Sequence, residues 1–368
     1  MTQPAANLSP SLAPFSEPRS IRPLIFLLAT TMQASTAIAD GPVPIPDATP
    51  NVVAAAPESC PTYRPILTLA PEFSLRLERT NPWSPTEATL LVYGPDGLYV
   101  VDMDDTSRPP RQLVSASRVN AFSWAPDGRH VAILTGGLGR KAERKLLVAS
   151  TAGDSVSVVA ARESIWPIEW TRQGRLLYWT PGASSPMRVP LPSSMSKRPA
   201  GEVPGQHDLI PIIDPVTHVS TLALAEPSNS TNASTDRILD SLTANRTVLL
   251  KDAHPIGWTV MQSGRTLIVL DPKGALFKVL AVPDDHGWFL ASSFVAGGNA
   301  IVGSFEESDG HAIIASSLGY VNLTEDSYCR LTTAGAGSNC KAARTGPYIA
   351  FTNHSTAAVE IGVLEHLP

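Results

Sequence analysis

The sequence predicts an all-β propeller built from four-stranded blades. Three observations carry that expectation. Asn120 to Leu134 reads as two short strands around a tight turn. Phe122 and Trp124 alternate with small residues, Pro126, Asp127 and Gly128 supply the turn, and Val131 to Leu134 is an apolar second strand. Weaker copies of this unit recur along the chain. Lastly, the 368 residues include 34 prolines and show no sustained helical period outside the leader, which suits many short strands and turns.

Each copy aligns on the position of Trp124. The first has Trp83, then Leu90–Tyr93, a turn at 94–97, Leu98–Asp102 and Arg111–Val114. The second is the organising stretch, continued by Lys145–Ala149 and Ser155–Val159. The third has Ile168–Trp170 and Arg175–Trp179. In the fourth, Ile212–Asp214 leads to Val219–Leu224, with Arg237–Leu242 and Thr247–Leu250 completing it. The fifth places Trp258 at the anchor, followed by Thr266–Leu270 and Leu276–Leu280. The sixth uses Phe305, with a turn at 308–310, and the seventh uses Lys341. The anchors 83, 124, 170, 214, 258, 305 and 341 are spaced like propeller blades, whose period is roughly 40–45 residues. Seven blades are expected, with six as the runner-up.

A single four-stranded sheet has two faces and two raw edges. Radial stacking buries the faces, and a closed ring leaves only short edges. The seventh copy lacks a fourth strand before Pro368. Pro65–Ala70 precedes the first copy without a unit of its own, so it is expected to supply that outer strand and close the ring.

Upstream, Arg19 and Arg22 precede the apolar run Leu24–Ala29, and Ala37-Ile38-Ala39 fits a cleavage site. Residues 1–39 therefore read as a signal peptide, 40–60 as a Pro/Ala-rich flexible linker and 61–368 as the propeller. The apolar run is too short for a bilayer anchor, so no transmembrane segment is expected after cleavage. The chain should be exported, to a periplasm, a cell surface or the medium, as a monomer. Of the three cysteines, Cys329 and Cys340 flank a Gly/Ser loop and are the expected pair, with Cys60 as an odd thiol.

Phe122 to Ile133 resembles the repeat of TolB-like, WD-repeat-like β-propellers, and Trp83-Ser84-Pro85 and Ser308-Asp309-Gly310 echo pieces of it. That resemblance implies the propeller fold and leaves activity open. Such repeats occur in periplasmic scaffolds, in cell-surface proteins and in propellers attached to serine peptidases. No Gly-x-Ser-x-Gly elbow and no following α/β domain support the last group here.

Chemistry-bearing clusters are few. His130 and His311 follow equivalent turns and read as turn-flanking residues. Asp102, Asp104 and Asp105 lack the glycine and terminal glutamate of an EF-hand loop and read as a solvated acidic connection, as do Asp284 and Asp285. Gly136 to Gly139 departs from a phosphate-binding glycine pattern, and no helix follows it. Five Asn-x-Ser/Thr sequons begin at Asn229, Asn232, Asn245, Asn322 and Asn353. No cofactor, metal or catalytic constellation is expected. A net charge of −5 argues against nucleic acid.

With strands lettered A to D in a blade, B–C and D–A connections share one face of the ring. The long connections 135–144, 225–236, 191–207 and 332–339 all fall there. The first carries Arg140, Lys141, Arg144 and Lys145, a local basic spot on a slightly acidic protein. The leading functional expectation is a non-enzymatic scaffold that binds a protein, peptide or glycan through this face. The alternative is a hydrolase or lyase with a carboxylate or metal site in the channel, near Glu169 and Asp214. A third reading is a regulatory propeller whose partner chain carries the chemistry.

Overall fold

Alternating apolar residues between turn formers give strands, and every regular element among the described residues is a strand. The computed structural model describes residues 51–52, 54–55, 60–75, 81–137, 143–153, 155–163, 165, 168–170, 174–178, 187–189, 209–213, 220–224, 249–254, 257–272, 276–282, 288–308, 313–332 and 337–367. The expected leader lies outside them. Ala48–Pro368 is one compact unit.

The N-terminal part contributes β1 (Asn51–Val52), β2 (Ala54–Ala55) and β3 (Thr62–Thr68). Sheet 1 is β4 (Thr89–Gly94), β5 (Gly97–Asp102) and β6 (Arg111–Ser115), and Trp83 bridges Leu90 as the stub of a first strand. Sheet 2 is β7 (Val119–Trp124), β8 (His130–Gly136), β9 (Glu143–Ser150) and β10 (Val156–Glu163). Sheet 3 holds β11 (Ile168–Trp170), β12 (Leu176–Tyr178) and β13 (Met187–Arg188), and sheet 4 holds β14 (Leu209–Ile213) and β15 (Ser220–Leu224). Sheet 5 is β16 (Leu249–Ala253), β17 (Thr259–Ser263), β18 (Thr266–Leu270) and β19 (Leu276–Ala281). Sheet 6 is β20 (Trp288–Phe294), β21 (Ala300–Ser308), β22 (Ile313–Asn322) and β23 (Ser327–Arg330). Sheet 7 is β24 (Gly337–Ala342), β25 (Tyr348–Asn353) and β26 (Ala358–Glu365), with β3 as its fourth strand.

Within each sheet the consecutive strands pair antiparallel, and the sheets pack face to face. One apolar cluster joins sheets 1 and 2 around Phe122 and Trp124, and another joins 2 and 3 around Trp170. Sheets 5 and 6 share Phe289, Phe294 and Phe305, and sheets 6 and 7 share Tyr320 and Phe351. Leu90, Val92 and Trp83 of sheet 1 pack with Ala350, Val359 and Ile361 of sheet 7. First strands lie together at the hub: β7 against β11, β16 against β20, and β20 against β24. This is a β-propeller architecture. Burying each large aliphatic or aromatic side chain contributes about 1.5–3 kcal/mol, so these faces drive the assembly.

One turn device repeats after the first strands. Ala125 N–H donates to His130 O (2.9 Å) and Gly128 N–H to Ala125 O (3.0 Å). Val295 donates to Ala300 (3.0 Å) and Gly298 to Val295 (3.1 Å) in the same way, while Ser84 donates to Thr89 (2.8 Å) and Ala343 to Tyr348 (2.8 Å). Gly128 adopts φ 67°, and a Cβ there would meet Thr86 Oγ1 of sheet 1 at 1.8 Å, so the position demands glycine.

That device corrects three of the expected anchors. In sheet 6 the residue matching Trp124 is Phe294, and Phe305 lies in the second strand. In sheet 5, Ala253 ends the first strand and Trp258 sits just before the second. Residues 249–250, expected to complete the fourth blade, open the fifth. At sheet 7 the matching residue is Ala342, one past Lys341.

The N-terminal segment runs along the outer edges of three sheets. β1 adds parallel to β19, Asn51 opposite Leu280. β2 adds parallel to β23, Ala54 opposite Ser327. β3 then pairs antiparallel with β26, from Thr62 opposite Glu365 to Thr68 opposite Glu360. The expected outer strand for sheet 7 is thus in place. The expected linker, by contrast, contains two short strands.

The cysteine pairing differs from expectation. Cys60 bonds Cys329, with a Cα–Cα distance of 5.9 Å, and Cys340 is free and fully buried. β23 is the last strand of sheet 6 and β24 the first of sheet 7, so their connection runs from rim to hub and separates the two cysteines. Cys329 meets the incoming N-terminal segment at the rim instead. Burial pushes the Cys340 thiol up to about 12, which keeps it protonated.

Candidate functional site

Arg140 and Lys141 lie outside the described residues. Arg144 and Lys145 follow Glu143 at the start of β9, where the B–C connection of sheet 2 ends. Arg144 is half-buried. Its Nη1 donates to Ile165 O at 2.9 Å, tying β9 to the chain that leads into sheet 3. Burial, and then the neighbouring Arg118 charge, pull its pKa below the usual guanidinium value. Arg144 therefore acts partly as a brace. Lys145 is exposed, with Ala161 opposite on β10. The sequence grouped the two as equivalents, but strand alternation points their side chains to opposite faces of the sheet.

The same B–C connection is shorter in three other sheets, though not in sheet 3, where 179–186 separate β12 from β13. Residues 95–96 close it in sheet 1, 264–265 in sheet 5 and 354–357 in sheet 7. Relative to sheets 1, 5 and 7, the connection 137–142 is an addition. The long stretches 191–207 and 225–236 lie outside the described residues, as do 333–336, while Gly337–Asn339 of the expected loop open β24.

The other sequence candidates have local structural partners or fall outside the described residues. His130 Nδ1 lies 2.9 Å from Asp127 Oδ2 across the turn. Asp102 Oδ1 accepts from Asp104 N–H at 3.0 Å, and Asp105 pairs with Arg108 at 2.7 Å, so that carboxylate cluster folds on itself. Hydrogen bonding from Ser107 holds the Asp105 carboxyl below its ordinary range. Asn322 is buried, and its Oδ1 accepts from Thr324 and Glu325 N–H at 2.9 and 3.2 Å. Asn353 likewise caps its own turn and donates to Glu360 at 2.8 Å. Both sequon asparagines are thus occupied in building turns. His311, Asp284, Asp285, Asp214, Asn229, Asn232 and Asn245 lie outside the described residues. Glu169 is on β11 at the hub. Among the described residues, no three His, Cys, Asp or Glu side chains are grouped to hold a metal, and no helix is long and apolar enough to cross a membrane.

Sequence reasoning missed a charged group at the hub of sheets 5 to 7. Asp252 of β16 and Arg344, just past β24, are 4% and 5% exposed and form a two-pronged ion pair. Arg344 Nη1 donates to Asp252 Oδ2 at 2.6 Å, and Nη2 donates to Oδ1. Phe294 N–H adds a third bond to Asp252 Oδ2 at 2.8 Å. Burial pushes the Asp252 carboxyl up, but the Arg344 charge and hydrogen bonds outweigh it, and the net direction is down. Lys341 Nζ donates to Ser292 O at 3.3 Å, and burial lowers its pKa against the pull of Asp252. The group ties three sheets together at their first strands. Its one legible sign was charge within otherwise apolar first strands.

No family model and no curated protein sequence matches the chain. Several solved structures are similar to it at low identity. The β-propeller domain of Cps50 (Swd1) from Myceliophteria thermophila is 9% identical with TM-score 0.37, covering 82% of this chain and 99% of that one. An oligogalacturonate lyase in complex with manganese is 11% identical with TM-score 0.43, over 84% and 98%. A chain of a mitotic checkpoint complex is 12% identical with TM-score 0.43, over 92% and 98%.

Proposed function

We propose that this chain is an exported, seven-bladed propeller scaffold that binds an acidic protein, peptide or glycan through the face bearing the B–C and D–A connections. One observation carries the reading. The fold closes the B–C connection with two residues in sheets 1 and 5, yet sheet 2 spends 137–142 on it and loads its end with cations. A segment that the repeat does not require, placed on a rigid scaffold, is where contacts are expected. Cations there would steer an acidic partner.

The seven described sheets support the blade count. Ring closure is supported by the cluster shared between sheets 1 and 7 and by the β3–β26 pairing. Export is supported by the Cys60–Cys329 disulfide, since such bonds persist in oxidising compartments.

The test is surface-plasmon association with two probes, a glutamate-rich peptide and a sulfated glycan. The double variant Arg140→Glu/Lys141→Glu should slow association about tenfold at low salt, and less at high salt. Its melting should match wild type. A reversal at Arg129, in the A–B turn on the opposite face, should change neither. Slowing by Arg129→Glu alone would overturn the choice of face.

A further inference from the structure

The outermost strands of the sheets end in different ways. β19 and β23 are covered by β1 and β2, and sheet 7 receives β3. β6 is five residues long and opens with exposed Arg111 and Gln112, charges and polarity that blunt an edge. β10 is eight residues long, and among the described residues it pairs only with β9. It carries Val156 at 50% and Val158 at 62% exposure, the latter the most exposed large apolar residue described. A long apolar edge of this kind is a template for another strand.

We propose that the outer edge of β10 is a docking site for an extended, acidic segment of a partner protein, which adds to sheet 2 as a fifth strand. This goes beyond the loop-face reading, since it uses the rim. The chain itself supplies the precedent. Two-residue strands suffice at β19 and β23, and the arm Val156–Val158 before the bulge at Val159 is longer than that.

The partner's chemistry follows from the register. Val156 lies opposite Ala149 and Val158 opposite Leu147. Ala149 and Leu147 belong to the cluster shared with sheet 1, so both valines emerge on that face. Lys145, two residues before Leu147, shares the face and is exposed. Arg111 of sheet 1 reaches across to Thr151 O above the same strand pair. An added strand therefore meets two valines with Arg111 near one end and Lys145, followed on that face by Glu143, near the other. It should offer apolar residues at alternate positions with a carboxylate beyond them.

The probe is a fluorescein-labelled heptapeptide with glutamate at both ends, valine at the third and fifth positions and threonine elsewhere. All four of the former lie on one face in either strand direction. Fluorescence anisotropy should give saturable one-to-one binding. The variant Val156→Ser/Val158→Ser should weaken it about tenfold, because cross-strand apolar pairs are lost. Lys145→Glu should weaken it about threefold, as expected of an exposed charge. Of two peptides N-methylated at the valines or at the threonines, one should lose about tenfold through blocked edge hydrogen bonds, and the other should bind normally. Melting curves of each variant beside wild type check that the fold is kept. Equal binding of both methylated peptides overturns strand addition, as does the absence of saturable binding. A concentration-dependent dimer, abolished by the serine variant and indifferent to the peptide, also overturns it and makes a second copy the occupant. None of these outcomes depends on Arg140 or Lys141, so the loop-face reading stands or falls separately.

Discussion

Trp83 Nε1 donates to the main-chain oxygen of Lys341 at 2.9 Å. The bond joins the first sheet to the last. It repeats the bond by which Trp124 Nε1 donates to Pro82 O, also at 2.9 Å, between sheets 2 and 1. The same contact used between neighbours in sequence thus connects the two ends of the described propeller. Replacing Trp83 with Phe keeps most of the apolar volume but leaves Lys341 O buried without that donor. Such a loss costs about 1–3 kcal/mol. Urea unfolding should show a deficit of that size, similar for Trp124→Phe. A deficit no larger than that of an exposed substitution would mean the bond does little.

The Asp252–Arg344 pair should respond strongly to cutting and to pH. Arg344→Ala leaves a buried carboxylate without its guanidinium partner, a loss of about 3–5 kcal/mol. The folded pKa of Asp252 is depressed, so the pair's stabilisation is present above the unfolded value of about 3.9 and fades as pH falls through the folded value. The gap between wild type and Arg344→Ala in denaturant melts should therefore narrow below about pH 4. A gap that stays constant from neutral to acid pH would contradict this account.

How much of this was readable beforehand depended on side-chain marking. Trp83, Trp124 and Trp170 each end a first strand, and sheets 1 to 3 follow the sequence reading. Sheets 5 and 6 slipped because a turn followed by an apolar strand occurs more than once per blade. Phe294 to Ile301 carries the motif of Trp124 to Val131, with Gly297 and Gly298 in place of Asp127 and Gly128. The later turn at 308–310 fitted the pattern equally well. β1 and β2 are two residues each and leave no periodicity to detect. Of the basic group, composition identified the charges. It did not separate Arg144, bonded to Ile165 O, from exposed Lys145, because that division depends on which neighbour folds over each.

The cysteines give a chemical test. Non-reducing peptide mapping should link Cys60 to Cys329, and a thiol reagent should find Cys340 inert until the protein unfolds. Cys60→Ser and Cys329→Ser should each destabilise by about 2–4 kcal/mol, and the double variant should add nothing further. A Cys329–Cys340 peptide would contradict the rim path.

β3 is the outer strand of sheet 7, and truncation tests most directly whether the N-terminal segment latches the propeller. β3 covers the edge of β26 and is held by Tyr63 Oη donating to Glu360 Oε1 at 2.5 Å, with burial and that carboxylate both raising the tyrosine pKa. Removing residues 1–68 should expose β26 and leave Tyr63's place beside Phe351 empty. Removing only residues 1–50 keeps β1, β2, β3 and Cys60. Calorimetric melting of the two truncations beside wild type is the measurement. The account predicts that loss of 1–68 lowers the melting temperature by several degrees or causes aggregation, while loss of 1–50 leaves β3 and its pairing, and hence the melt, intact. Indistinguishable melts for the two truncations would contradict it.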